Sequence, residues 1–127
     1  MPVHKLAVLI APFHNRTKED ERDLYDAKLK LLLRGWLPIF LPDTLSVVLD
    51  DDDPRERETA LRASAFFCRV LAELPDAEAV VVGNVMTEGM RSDVTAWLDA
   101  GGPAPMNFDE LVVSEAPVEE DGDGRDD

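Results

Sequence analysis

The side chains able to do chemistry in this chain gather in three short stretches. His14, Asn15 and Arg16 follow the apolar run LAVLIAPF, and Asn84 and Thr87 follow a second such run, AVVVGN. Asp93 lies four residues beyond Gly89 in TEGMRSDVTAWLDAGGPAP, Thr87 to Pro105. Imidazole, guanidinium, amide and hydroxyl groups converging on one cleft suit an anionic or hydroxylated ligand. Guanidinium groups grip phosphate in fixed geometry, and helix N-termini add unpaired N–H groups. Each group also has an ordinary reading. His14 reads singly as a surface histidine, and Asp93 as a charge favoured by the macrodipole at a helix start. Arg55, Arg57 and Arg91 are further phosphate contacts in principle, but Arg55 and Arg57 stand beside Glu56 and Glu58 and read first as surface ion pairs.

Other chemistries find little support. The run Asp50 to Asp53 lacks the spaced oxygen ligands and internal glycine of an EF-hand loop and reads as solvated. One cysteine and two histidines make a Cys/His zinc site implausible, so no metal is expected. Cys68 sits within SAFFCRVL, an apolar helical stretch, and reads as a buried structural thiol. No P-loop Gly-Lys-Ser/Thr and no Gly-x-Ser-x-Gly elbow is present, which removes the main support for a kinase, ATPase or serine hydrolase.

The elements that must hold these groups alternate along the chain. KLAVLIAPF is continuously apolar, as a strand buried on both faces of a parallel sheet would be, and Lys5 to Ile10 is the expected first strand. A helix follows from the Thr17 cap to Gly35, with Leu24, Ala27, Leu31 and Arg34 on one face. WLPIFLP reads as a second strand, at an edge because Pro38 cannot donate to a ladder. A loop or short helix leads to a long helix from about Pro54 to Leu74. AEAVVVGN supplies a third strand, the stretch from Thr87 a third long helix, and APMNFDELVV a short fourth strand. This order predicts a parallel three-layer α/β domain with right-handed crossovers and a ligand site at the carboxyl ends of the strands.

Composition sets the outer bounds. A chain of 127 residues with 45% apolar content suits one domain with a real core. Its net charge of -14 is unevenly placed: residues 1 to 41 carry 7 Lys+Arg and 5 Asp+Glu, leaving 6 and 22 for the remainder. Such a chain is not expected to bind nucleic acid. LAVLIAPF is about half the length of a membrane span and no cleavage pattern follows it, so neither a membrane nor a targeting segment is expected. The lone cysteine agrees with a cytoplasmic setting. SEAPVEEDGDGRDD reads as an acidic disordered tail, residues 114–127, after a domain of residues 1–113.

The layout PDAEAVVVGNVMTEGMRSDVTAWLDAGGPAP resembles the C-terminal signature of the nucleoside 2-deoxyribosyltransferase-like superfamily. There an Asp-led strand precedes a Ser/Asp-x-Gly turn; a catalytic Glu follows four residues after the glycine, and a Gly-x-Pro eight residues beyond the Glu. Asp76 matches the leading Asp, and Gly89, Asp93, Gly101 and Pro103 keep the spacing with Asp in place of Glu. LIAPF likewise resembles the family's opening strand, often aromatic-x-Ala-Gly-Pro. Leu9 stands where many members have an aromatic hydroxyl, and RASAFFCRVL where members commonly place an orienting Asp.

The resemblance implies a flavodoxin-like three-layer domain with a parallel sheet of four or five strands, often oligomeric, that cleaves the N-glycosidic bond of a nucleoside or nucleotide. Asp93 would then be the nucleophile, with Ala11, Pro12, His14, Asn15, Arg16, Asn84, Thr87 and Gly89 around the substrate and no cofactor. A homodimer or higher homo-oligomer is expected, with Trp36, Leu37 and Trp97 as its apolar surface. The alternatives are a non-catalytic nucleotide-binding or regulatory module of the same fold, and an interaction protein whose acidic tail engages a basic partner.

Overall fold

The computed structural model of the chain describes residues 3–112. The expected acidic tail lies outside the described residues. Four strands form one all-parallel sheet in the order β2-β1-β3-β4: β1 (Lys5–Ile10), β2 (Trp36–Ile39), β3 (Ala77–Val81) and β4 (Met106–Asn107). Between them run α1 (Lys18–Leu33), the single-turn α2 (Leu41–Leu45), α3 (Pro54–Leu71) and α4 (Glu88–Asp99). A further helical segment begins at residue 108. The order follows the first four positions of the flavodoxin-like sheet, and helices cover both faces, so the domain is flavodoxin-like and three-layered.

The path of the chain explains the layers. β2 lies on one side of β1 and β3 on the other, so the crossover reverses direction after β2 and right-handedness sends α3 to the face opposite α1. Alternate residues of β1, continued by Ala11 just beyond it, therefore belong to different cores. Ala7, Leu9 and Ala11 join Leu24, Ala27 and Leu31 of α1, whereas Val8 and Ile10 join Ala65 and Cys68 of α3 and Met90, Ala96 and Trp97 of α4. A strand buried on both faces reads as a continuous apolar run for this reason.

Local signals set the boundaries. Thr17 and Asp20 form a reciprocal capping box at the start of α1, with 3.0 and 2.9 Å hydrogen bonds. Asp53 caps α3, its Oδ1 accepting from the Arg55 amide at 2.9 Å, and Pro54 occupies the first turn. α3 ends at Leu71, short of the Leu74 expected: Leu74 precedes Pro75, a position that disfavours helical backbone, and the chain tightens into turns. Pro38 lies on the edge strand, paired with β1 alone.

The expected apolar surface for self-association is corrected at two of its three residues. Trp36 is 6% exposed and Trp97 fully buried, both within the core, leaving only Leu37 at the surface. Trp97 buries its polar edge by donating from Nε1 to the Pro103 carbonyl at 2.6 Å. Exposed apolar side chains instead include Tyr25, Leu29 and Leu33 on α1. No helix among the described residues is long and apolar enough to cross a membrane.

Candidate active site

A cleft of about 190 Å3 opens at the carboxyl ends of β1 and β3, where the strand order reverses. Its inner wall is made by two helices. Arg57, Ala60, Leu61 and Ser64 recur at helical spacing along one face of α3, and Gly89, Met90 and Asp93 do the same on α4. Gly89 lets the helices approach: a Cβ there would meet Leu61 Cδ2 at 3.2 Å. Phe13 and His14 enter from the loop after β1, and Pro42, Leu45, Ser46 and Leu49 from α2 and the turn beyond it.

Asp93 is the buried charge of this cleft. It sits in the second turn of α4 as a residue only 9% exposed, so a charge favoured by the macrodipole near a helix start does not by itself describe it. Oδ2 accepts a 2.9 Å hydrogen bond from Ser64 Oγ, while Oδ1 is buried without a partner. Burial pushes the carboxyl up from 3.8 to about 6, and the Ser64 bond, which favours the anion, pulls weakly the other way. Cys68, one turn beyond Ser64, is 2% exposed. Burial first and the Asp93 charge second raise its thiol to about 12, which leaves it protonated and inert.

Toward the mouth, Nδ1 of His14 contacts Oδ2 of Asp51 across 37 residues of sequence. Arg57 lines the same cleft; its Nη1 lies 3.7 Å from the exposed Glu88, and its Nε is buried with no hydrogen-bond partner. The guanidinium is thus set between α3 and α4, and its carboxylate contact is with Glu88 rather than with the neighbouring Glu56 or Glu58. The run Asp50 to Asp53 is likewise more than solvated loop: Asp51 holds His14, Asp53 caps α3, and Asp50 accepts from the Asp52 amide.

Of the residues singled out from sequence, Ala11, His14, Thr87, Gly89 and Asp93 line the cleft. Pro12, Asn15, Arg16 and Asn84 do not. Pro12 is buried close to Gly83, and Asn15 is an exposed turn residue at φ 58°. Arg16 stacks on Phe13 and pairs with Glu21 at 3.4 Å and Asp43 at 3.7 Å, while Asn84 is exposed beyond β3. Thr87 Oγ1 caps α4 by accepting from the Met90 amide at 3.2 Å, which leaves its own hydroxyl proton for a ligand.

Ser64 and the apolar wall were missed. A signal existed for Ser64, since it falls three residues after Leu61 and four before Cys68, a polar group on the apolar face of its helix. Among the described residues, no group of three His, Cys, Asp or Glu side chains is placed to hold a metal ion. Comparison of the chain with protein-family models, with curated proteins and with solved structures finds no match.

Proposed function

We propose that this cleft binds a nucleoside or nucleotide and cleaves its N-glycosidic bond, with Asp93 as the nucleophile. The observation that carries the reading is the asymmetry of that carboxylate: Ser64 holds one oxygen at 2.9 Å while the other, buried at the cleft, has no partner. An orphaned buried acceptor costs about 1–3 kcal/mol and calls for an explanation, which a ligand at that oxygen supplies. With the carboxyl at about 6, about nine-tenths of the molecules hold the anion at neutral pH, and desolvation leaves its lone pairs available to an electrophile.

The surroundings suit the substrate. Phe13, Leu45, Leu49, Leu61 and Met90 offer apolar walls to a planar base. Arg57, with Nε–H unpaired, offers a guanidinium edge to an anionic group such as a phosphate. Asp93 bonds to the anomeric carbon as the base departs, and water then hydrolyses the glycosyl ester and restores the carboxylate. Neither step requires a redox or electron-sink cofactor.

The test is incubation of the purified protein with a panel of nucleosides and nucleoside 5'-monophosphates, with free base measured by chromatography and binding by calorimetry. Base release that disappears in Asp93→Asn, with binding retained, is the expected result. Binding without release from any compound leaves the non-catalytic module as the function. Neither binding nor release overturns both readings.

A further inference from the structure

His14 and Asp51 come from separate loops, one after β1 and one before α3, yet their side chains meet at the cleft that Asp93 lines. A carboxylate on Nδ1 keeps a proton on that nitrogen and fixes the ring, so Nε2 is the nitrogen left to exchange a proton with a bound molecule. Cleaving a glycosidic bond to a base needs such a group, because a departing nitrogen anion is a poor leaving group until it is protonated. Asp93 cannot be the donor in the same step, since it must be ionised to attack. Arg57 lines the cleft too, but a guanidinium does not release its proton in proteins. Asp51 is engaged as the acceptor of His14.

We infer that His14 is the catalytic proton donor to the departing base and that Asp51 is the positioning residue that holds its tautomer. This rests on the glycosidic-cleavage reading of the same cleft. In the first step Asp93 forms a bond to the anomeric carbon while the carbon–nitrogen bond breaks. The bonding pair leaves on the base nitrogen, which takes the proton from Nε2 of the imidazolium. In the second step a water oxygen bonds to the anomeric carbon and passes its proton to Nε2, and the ester bond breaks with its pair returning to Asp93. The sum is one water added across the glycosidic bond, with His14 and Asp93 restored.

An N7-methylated purine nucleoside separates this role from the others, because its base departs neutral with no proton supplied. Single-turnover base release is measured for a purine nucleoside and its N7-methyl counterpart with wild-type protein, His14→Gln and Asp51→Asn, each variant first checked for unchanged thermal unfolding. His14→Gln is expected to lose about 100-fold or more on the unmethylated substrate, and at least about ten times less on the methylated one. Asp51→Asn shows a smaller loss with the same dependence on the leaving group, which a merely structural role would not produce. Equal losses on the two substrates, with wild-type protein active on both, overturn the inference and leave the cleavage reading standing. Wild-type protein silent on both overturns the cleavage reading, and this inference with it.

Discussion

Asp93→Asn replaces one carboxylate oxygen by an amide nitrogen and so removes a titration that the fold makes costly. In the folded protein this carboxyl titrates at about 6 rather than 3.8, because burial disfavours the charged form. The shift of about 2 units corresponds to about 3 kcal/mol at about 1.36 kcal/mol per unit. Its sign follows from the folded value being the higher one. Below the unfolded value both states are protonated and the site costs nothing; between the two values the native state keeps a proton that the unfolded chain has lost. Above about 6 the buried charge opposes folding in full.

Urea unfolding of both proteins across this window should therefore show Asp93→Asn gaining about 2 to 3 kcal/mol on wild type as pH rises from about 4 to 7.5. The other carboxylates titrate in both proteins and drop out of the difference. Any fixed effect of the amide on Ser64 displaces the curve without tilting it. A difference that stays flat to within about 0.5 kcal/mol refutes the placement of Asp93 as a desolvated carboxylate.

Ser64→Ala removes the hydrogen bond that favours the Asp93 anion, so the acid limb of base release should move to higher pH, at a stability cost of roughly 1–2 kcal/mol by denaturation. Arg57→Gln should weaken a nucleoside 5'-monophosphate by about 10- to 100-fold in calorimetry while leaving the matching nucleoside nearly unchanged. Gly102→Ala places a Cβ 2.5 Å from Trp97 Nε1, and should cost about 1–3 kcal/mol and red-shift tryptophan emission as the indole loses its bond to Pro103. Cys68 should resist alkylation at neutral pH in the folded protein and react once urea unfolds it, since its thiol is raised to about 12 and buried.

The elements were legible because their signals are local. The Thr17 capping box, Pro54 at the first turn of α3, the doubly apolar β1 and the edge position of Pro38 all follow from neighbours in sequence. The end of α3 was misjudged because periodicity continues to Leu74, while Pro75 acts on the backbone before it. The candidate site was half legible. His14 lies in the loop after β1, and Thr87, Gly89 and Asp93 at the cap and first turns of the helix after β3, on the side of the sheet where a parallel fold places ligands. Ser64 and Asp93 are 29 residues apart and meet only because α3 and α4 pack on the same face, a consequence of strand order that no local pattern states. Arg57 looked like a surface residue for the same reason: Glu88, its partner, lies on the neighbouring helix. Trp36 and Trp97 were read outward from their places near element ends, but both fill the core on either face of the sheet.

The central claim is that Asp93 forms a covalent bond to the sugar, and the mass of the protein tests it most directly. Wild-type protein mixed with a substrate it cleaves, acid-quenched within the first turnover and measured intact, should carry an added glycosyl group. Fragmentation should place that group on Asp93, and Asp93→Asn should remain unmodified. Base release with no adduct at any quench time, or an adduct on another residue, would contradict Asp93 as the nucleophile.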